Sequence, residues 1–282
     1  MFSHHSAELG EVRLHYVTAG SGARALVLLH GWPQSWWEWR RIMPALAEHF
    51  TVIAPDMRGL GDSSCPPGGY DKATVANDIW RLMSEVLGYQ NFYLVGHDWG
   101  GPVAYALAHA HMEAVEKLAI LDVVVPFGSA DDLTWGGKRW HHGFHWVQDL
   151  PEALVSGRER MYLSWFYNNL AYNPAAISPE DIDEYARAYS RPGVLRAGFE
   201  YYRATTTDIA DNNENKKTPL TMPVLALGGS GGKGRGMQVL ENMRELASDV
   251  EGGAIERCGH FVPEEQPKLL TRELLEFFGK TC

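Results

Sequence analysis

Apolar and polar positions follow one another along the chain in a repeating order of strand and helix. Short apolar runs rich in Val, Leu and Ile indicate buried strands, and longer stretches with helical periodicity follow most of them. The predicted strands cover 11–17, 25–29, 51–54, 92–95, 117–121, 223–227 and 254–256, and the predicted helices cover 36–50, 72–87, 102–111, 237–247 and 267–278. Elements that alternate in this way predict a parallel sheet with helices on both faces.

The alternation stops between positions 123 and 221. This stretch is rich in helix formers and aromatic residues, and it shows no clear strand pattern. It begins at the carboxyl end of a predicted strand, which is the edge where ligands bind in open α/β sheets. We therefore predict an α/β core formed by 1–122 and 222–282, with a helical cap formed by 123–221 inserted into it. The tract from Gly228 to Gly236 is predicted to be a flexible loop.

Composition narrows the classes of function. The 282 residues carry a net charge of -10, which argues against nucleic acid or an anionic membrane as a partner. No apolar run is long enough to span a bilayer, and the segment from Met1 to Gly20 does not resemble a signal peptide. The three cysteines, Cys65, Cys258 and Cys282, are widely spaced and form no metal-binding pattern. We therefore expect a cytoplasmic protein.

The most specific local motif is Gly96-His97-Asp98-Trp99-Gly100. A predicted strand precedes it and a predicted helix follows it, and a small residue lies two positions to either side of Asp98. This is the pattern of a nucleophile elbow, in which a hydrolase usually carries serine. A carboxylate is a weak nucleophile towards acyl carbon, but it can displace a leaving group from saturated carbon and form an alkyl ester. Asp98 therefore indicates cleavage of a C–O or C–halogen bond.

Four motifs, in this order, carry a resemblance to a known family. They are His30-Gly31-Trp32-Pro33, Asp56-Met57-Arg58-Gly59-Leu60-Gly61-Asp62-Ser63, Gly96-His97-Asp98-Trp99-Gly100-Gly101 and Cys258-Gly259-His260-Phe261. Over nearly its whole length the chain resembles the α/β-hydrolase superfamily, and within it the epoxide hydrolases that use an aspartate nucleophile. The resemblance implies an α/β-hydrolase fold: a mostly parallel central sheet flanked by helices, with a helical cap inserted after the strand that ends at Asp122.

The resemblance also implies roles for residues of the core. His260 lies between the last predicted strand and the last helix, and it would take a proton from the water that attacks the Asp98 ester. Asp122 is the candidate acid that orients His260, because the glycine-rich loop where many relatives keep this acid contains no carboxylate. The alternative for Asp122 is a structural capping role. The backbone N–H groups of Trp32 and Trp99 would form the oxyanion hole.

His141 and Tyr202 match the two positions from which relatives hold the oxygen of the opening epoxide ring. A His–Tyr pair resembles the branch of the family that includes the bacterial epoxide hydrolase Cif. His142, His145 and Tyr201 lie close by in sequence and are alternative candidates for these two roles. For His141 and Tyr202 the alternative is a role in packing within the cap.

Three functions stay open at this point. We favour an epoxide hydrolase that acts on a small-molecule epoxide with water and needs no cofactor or metal. The first alternative is a dehalogenase for haloalkanes or haloacids that uses the same Asp98. Fluoroacetate dehalogenases carry arginine where this chain has Trp99 and Pro102, which counts against a haloacid. The second alternative is a non-catalytic, ligand-binding homologue. The sequence leaves open which epoxide is used and whether the chain forms a homodimer, as relatives often do through the cap.

Overall fold

The fold is built on one central sheet. The structure is a computed structural model that describes residues 2–131, 134 and 136–279, and within these residues eight strands form a sheet in the order β1-β2-β4-β3-β5-β6-β7-β8. The strands are β1 (Ser3–Glu8), β2 (Arg13–Ala19), β3 (Ala25–Leu29), β4 (Thr51–Pro55), β5 (Phe92–His97), β6 (Val115–Leu121), β7 (Val224–Gly229) and β8 (Val250–Ile255). β2 is antiparallel to β1 and to β4, and the other neighbouring pairs are parallel. The predicted mostly parallel sheet is confirmed.

Helices cover both faces of this sheet. Those that alternate with the strands are α1 (Met43–Leu46), α2 (Lys72–Arg81), α3 (Gly100–Ala110), α10 (Gln238–Arg244), α11 (Val262–Glu265) and α12 (Pro267–Gly279). Along β3, Val27 and Leu29 belong to one buried apolar cluster, whereas Leu26 and Leu28 belong to another. Successive side chains of a strand point to opposite faces, so the continuous apolar run of β3 is explained by burial on both sides.

A group of helices separates β6 from β7, and we call this group the insert. Its members are α4 (Trp140–Trp146), α5 (Leu150–Val155), α6 (Glu159–Leu170), α7 (Pro179–Tyr189), α8 (Val194–Arg203) and α9 (Thr205–Asn215). The insert lies within the predicted cap, 123–221, and the division of the chain into core and cap stays a prediction. Among the described helices, here and in the rest of the chain, none is long and apolar enough to cross a membrane.

The predicted and observed elements differ in several places, and three of these differences are informative. The single helix predicted over 36–50 is wrong: a 3-10 turn, Trp36–Trp39, is followed by the short helix α1. Pro44 occupies the first turn of α1, where its missing N–H and fixed φ suit a helix start and not a helix interior. The edge strand β1 was not predicted, because most of its side chains are exposed and it has no apolar run. The predicted loop 228–236 begins later, since its first two glycines belong to β7.

Buried ion pairs join the insert to the core. Lys72, at the start of α2, lies 2.7 Å from a carboxylate oxygen of Asp208 in α9, and both side chains are almost fully buried. Arg40, just after the 3-10 turn of the core, lies 2.6 Å from Asp181 in α7. Loss of either partner would leave a buried charge unpaired, which is unfavourable, so these contacts favour one placement of the insert over the core. Of the three cysteines, Cys65 and Cys258 are free thiols, and Cys282 lies outside the described residues.

Candidate active site

Asp98 lies in the turn between β5 and α3, at the carboxyl edge of the sheet. Its backbone is left-handed, with φ 47, which is uncommon for a residue other than glycine. The turn is tight: a Cβ on Gly96 would lie 2.2 Å from the carbonyl oxygen of Gly100, and a Cβ on Gly31 would lie 2.2 Å from Cβ of Asp98. Glycine at these positions lets the two loops approach each other. The geometry presents the Asp98 carboxylate, 17% exposed, above the sheet edge.

The Asp98 carboxylate is held from two sides. The backbone N–H of Trp32 donates to Oδ1 over 2.9 Å, and the N–H of Trp99 also donates to the carboxylate. On the other side, Nε2 of His260 lies 3.3 Å from Oδ2. Burial raises the pKa of Asp98, but the hydrogen bond and charge of His260, the charge of His97 and the Trp99 amide outweigh it and hold the pKa well below its usual range. The carboxylate is therefore ionised at any working pH.

His260 is oriented by Asp122. Nδ1 of His260 donates to Oδ2 of Asp122 over 2.7 Å, and Oδ1 of Asp122 accepts the N–H groups of Gly229 and Arg235 at 2.8 and 2.7 Å. Asp122 directly follows β6 and has a left-handed backbone, with φ 45. Burial lowers the pKa of His260, but its hydrogen bonds to Asp122 and Asp98 and their charges leave the pKa above the ordinary value. The structure thus brings Asp98, His260 and Asp122 into one hydrogen-bonded row.

A second, fully buried pair lies beneath this row. His97, the last residue of β5, contacts Oε2 of Glu38 through Nδ1 at 3.2 Å and donates from Nε2 to the backbone carbonyl of His260 at 2.8 Å. Burial lowers the pKa of His97, but the charge and hydrogen bond of Glu38 raise it to about 9. The imidazolium therefore supports the backbone that carries His260 and adds positive charge next to Asp98. Sequence reasoning missed Glu38.

A cavity of about 250 Å³ opens in front of Asp98, and we call it the inner cavity. Residues from the elbow, the insert and the loop after β7 line it, among them Asp98, Trp99, Arg139, His142, Tyr202 and Arg235. The ring of Tyr202 meets the indole of Trp99 edge to face, with 5.0 Å between centroids. Burial raises the pKa of Tyr202 well above 10, so the phenol keeps its proton at neutral pH. The predicted Tyr202 therefore shares a cavity with the predicted nucleophile.

Two neighbouring histidines of α4 approach Tyr202. The ring centroid of His142 lies 5.0 Å from that of Tyr202, and His141 lies 5.9 Å from it. Burial and the charge of Arg139 lower the pKa of His141 to about 3, and burial lowers the pKa of His142 well below its usual range. Both rings are therefore neutral and can donate one N–H. His142 lines the inner cavity, whereas His141 lines a second cavity, so the assignment of His141 stays a prediction.

The other two candidates, His145 and Tyr201, form hydrogen bonds away from the inner cavity. Nε2 of His145 shares a 2.6 Å hydrogen bond with the hydroxyl of Tyr162, inside the insert. The hydroxyl of Tyr201 donates to the backbone carbonyl of Arg58 over 2.9 Å, in the core. Neither residue lines the inner cavity.

Two arginines at the inner cavity were missed by sequence reasoning. Arg139 precedes α4 and Arg235 lies in the loop after β7, and both line the cavity together with Asp98. Burial lowers the pKa of Arg139, and it lowers the pKa of Arg235 to about 9, so that both remain charged at neutral pH. The cavity therefore contains cations, although positions 99 and 102 carry no arginine. No hydrophobic periodicity marks either position, and only the fold brings them together.

One described cluster has the residue types of a metal site. In His15, Asp56 and Asp62 the ligand atoms lie within 4.8 Å of one another. These atoms already bind within the protein: Nδ1 of His15 contacts Oδ2 of Asp56 at 2.7 Å, and Asp62 pairs with Arg187 at 3.0 Å. These side chains thus fix the loop that follows β4.

The fold and this elbow define the class of protein. The family model for the alpha/beta hydrolase fold matches residues 24–267. The chain belongs to the α/β-hydrolase family.

Three relatives refine the comparison. The chain is 46% identical to the soluble epoxide hydrolase of Corynebacterium sp. (strain C12), over 98% of this chain and 97% of that protein. It superimposes on the structure of the epoxide hydrolase CorEH without ligand with a TM-score of 0.93 and 44% identity, and the match covers 99% of each chain. It is 31% identical to a fluoroacetate dehalogenase of Burkholderia sp., over 99% of this chain and 94% of that protein.

Proposed function

We propose that this chain is an epoxide hydrolase that forms a vicinal diol through a covalent ester on Asp98. The observation that carries the proposal is the row of Asp98, His260 and Asp122, with contacts of 3.3 and 2.7 Å, at a cavity that Tyr202 also lines. An ionised carboxylate then faces a phenol that keeps its proton. This pairing suits an epoxide, whose leaving oxygen is strongly basic and needs a donor. The identity to a soluble epoxide hydrolase supports the same substrate class.

In the first half-reaction, Oδ2 of Asp98 attacks a ring carbon, because the Trp32 amide already occupies Oδ1. The ring C–O bond breaks, and the oxygen takes the hydroxyl proton of Tyr202. We propose that His141 donates a second hydrogen bond to this oxygen. The product is a hydroxyalkyl ester of Asp98, with Oδ1 as its carbonyl oxygen.

In the second half-reaction, His260 takes a proton from water, and the resulting hydroxide attacks the carbonyl carbon of the ester. The N–H groups of Trp32 and Trp99 then stabilise the negative charge that develops on Oδ1. His260 returns its proton to the departing diol oxygen. The new Asp98 carboxyl group loses its proton, which restores the Tyr202 phenol. Alkylation removes the negative charge of Asp98, which is one of the groups that raise the pKa of His260. The pKa of His260 therefore falls in the ester, and its neutral imidazole can accept the proton of water.

We also propose that the segment 123–221 acts as the cap of this site. It supplies Arg139, His141, His142 and Tyr202, whereas the core supplies Asp98 and its partners. The core would then carry the chemistry of the ester, and the cap would activate the leaving oxygen and select the substrate.

A single turnover in H₂¹⁸O tests the ester directly. With enzyme in excess over a neutral epoxide such as phenyl glycidyl ether, the diol should contain no ¹⁸O, and the label should appear in the peptide that carries Asp98. Later turnovers should pass the label to the diol. Direct attack of water on the ring would instead label the diol in the first turnover, and that result would overturn the mechanism.

The His260→Gln variant should stop the reaction at the ester. Glutamine cannot accept a proton from water, so an adduct with the mass of the epoxide should accumulate on Asp98. His109→Gln, on α3 and outside the cavity, is the matched control, and it should turn over without an adduct. Full diol formation by His260→Gln would contradict the assigned role.

A second candidate is dehalogenation of a haloacid by the same nucleophile. The arginines at the inner cavity favour it, because a guanidinium can bind the substrate carboxylate, and a fluoroacetate dehalogenase is among the relatives. Halide release from chloroacetate and fluoroacetate, measured beside diol formation, separates the two functions. Halide turnover faster than any epoxide turnover would make dehalogenation the main activity.

A further inference from the structure

Two half-exposed tryptophans lie side by side on the insert. Trp140, the first residue of α4, is 41% exposed, and Trp165 of α6 is 42% exposed, although tryptophan is highly buried on average. Their indole rings meet edge to face, with 5.2 Å between centroids. Scattered apolar side chains are common on protein surfaces, whereas contiguous apolar patches are typical of binding sites. This pair therefore indicates a place where an apolar group binds.

Both indoles line a cavity of about 560 Å³, which we call the outer cavity. Several of its residues are exposed, so the cavity opens to solvent. It adjoins the inner cavity, because Arg139 and Arg235 line both. Leu170 is a further apolar residue of its wall. A cavity of about 150 Å³ already holds benzene, so the outer cavity has room for an aromatic ring.

A row of ring contacts leads from these tryptophans to the proposed ring-opening pair. Trp140 stacks on Phe166, with 5.9 Å between centroids, and Phe166 meets His141 edge to face at 5.3 Å. His141 then meets Tyr202 at 5.9 Å. His141 lines the outer cavity, whereas Tyr202 and Asp98 line the inner cavity. An oxygen that contacts both His141 and Tyr202 must therefore lie where the two cavities meet.

We propose that the preferred substrates are epoxides that carry an aromatic group, which binds against Trp140 and Trp165 in the outer cavity while Asp98 attacks the epoxide ring. This inference rests on the proposed epoxide hydrolase function and names its substrate class. Burial of the aromatic group removes apolar area from water, and contacts between aromatic rings add a further gain that depends on their geometry. A saturated ring of similar size receives only the first of these contributions. The outer cavity should therefore select an aromatic group over a saturated one.

The first test varies the group attached to a terminal epoxide. The substrates are allylbenzene oxide, allylcyclohexane oxide and 1,2-epoxybutane, which all carry a CH₂ group next to the epoxide ring. For allylbenzene oxide, kcat/KM should exceed that of 1,2-epoxybutane by about thirtyfold, as expected for burial of one large apolar group. It should exceed that of allylcyclohexane oxide by about threefold or more, as expected for aromatic contacts. Allylbenzene itself, which cannot react, should inhibit turnover of 1,2-epoxybutane more strongly than allylcyclohexane does.

Variants assign the preference to the outer cavity. In Trp165→Ala, kcat/KM for allylbenzene oxide should fall by about tenfold, while kcat/KM for 1,2-epoxybutane changes by less than about twofold. The loss should appear in KM and not in kcat, because the aromatic group is bound equally before and during the attack. Trp165→Phe keeps an aromatic face and should retain most of the preference. Trp146→Ala is the matched control, because Trp146 of α4 is 49% exposed and lines neither cavity.

The outcomes distinguish the substrate class from the proposed function. If the three epoxides are hydrolysed with similar kcat/KM, the substrate class is wrong and the proposed function stands. Equal values for the phenyl and cyclohexyl substrates alone would mean that the cavity selects by size, which also overturns the aromatic class. A Trp165→Ala variant that keeps the full preference, or that loses activity equally on all three epoxides, would overturn the role of the outer cavity. If none of the epoxides is hydrolysed, the proposed function itself fails.

Discussion

The site is made of two halves that differ in how firmly their groups are held. On the core side, Asp98 and His260 are 3.3 Å apart, and hydrogen bonds of 2.7 to 2.9 Å from side chains and backbone amides hold Asp98, His260 and Asp122 in place. On the insert side, Tyr202 and its neighbouring histidines meet mainly through ring edges, with centroids 5.0 to 5.9 Å apart. Backbone N–H groups cannot be changed by side-chain substitution, whereas ring contacts can be rebuilt. The proposed nucleophile and base are thus fixed by the fold, and the insert is the part that we expect to adapt to a substrate.

Among single substitutions, the largest loss of diol formation is expected on the core side, at Asp98. Asp98→Asn keeps the shape and tolerates the left-handed backbone, but it removes the nucleophile. Diol formation should fall by at least about 10⁴-fold, in line with loss of a covalent nucleophile. Intact mass before and after the assay checks that the amide has not hydrolysed back to aspartate. Asp183→Asn, an exposed position of α7, should be fully active. A variant at Asp98 with more than a few per cent of activity would contradict a covalent role.

Asp122→Asn should lower turnover by about 10³-fold, because asparagine can hold His260 in the wrong tautomer and cannot balance its charge. The loss should fall on hydrolysis of the ester, so an adduct on Asp98 should persist for longer than in the parent chain. Rapid-quench mass spectrometry measures both steps. An equal loss in both steps would instead mean that Asp122 mainly supports the fold.

Lowering the pH should slow ester hydrolysis but not alkylation in the protein without substitutions. The pKa of Asp98 is held well below its usual range, so alkylation should continue at pH 5. Ester hydrolysis needs neutral His260, and its rate should fall about tenfold for each pH unit below the pKa that His260 has in the ester. The ester should therefore accumulate as the pH is lowered. If the ester is absent at pH 5 while turnover slows, alkylation is the step that responds to acid.

On the insert side, Tyr202→Phe should slow alkylation by about 10²-fold, the usual contribution of a general acid. Ester hydrolysis should be nearly unchanged, which is the reverse of the pattern expected for Asp122→Asn. Tyr162→Phe, another tyrosine of the insert, removes a hydroxyl that contacts His145 and serves as the control. A Tyr202 variant that accumulates ester would show that the two halves do not divide the reaction as proposed.

The smallest effect should come from the histidines of α4. We expect His141→Phe to slow alkylation by about tenfold, at the lower end for loss of a single donor to the leaving oxygen, with a smaller loss in His142→Phe. Stopped-flow measurement of the alkylation step compares the two variants. The opposite order would give the donor role to His142, which lines the inner cavity.

The sequence predicted the core side better than the insert side, for a physical reason. Strand periodicity located β5 and β6, and a residue at the carboxyl end of a parallel strand must lie at one sheet edge. Asp98 and Asp122 could therefore be placed before their contacts were known. No such rule applies to α4, where His141 and His142 are adjacent and only tertiary packing decides which one meets a substrate.

The arginines show a second limit. Arg139 and Arg235 lie in segments without helical or strand periodicity, so no pattern indicated that they meet. Trp99 and Pro102 are only the positions nearest to Asp98 in sequence, whereas a cavity can be lined by charged side chains from any part of the chain. The predicted helix over 36–50 failed for a local reason, because Pro44 lies in the first turn of a new helix that begins at Met43.

The pairing of Lys72 with Asp208 bears on how a molecule reaches Asp98. Lys72 also lies 4.1 Å from the ring centroid of Trp99, whose backbone N–H donates to the Asp98 carboxylate. Lifting the insert would therefore separate a buried ion pair close to Asp98. Passage through an opening that already exists leaves this contact and the packing around it intact. We therefore expect substrates to arrive by a permanent portal, and binding to follow a single kinetic phase without a closing step.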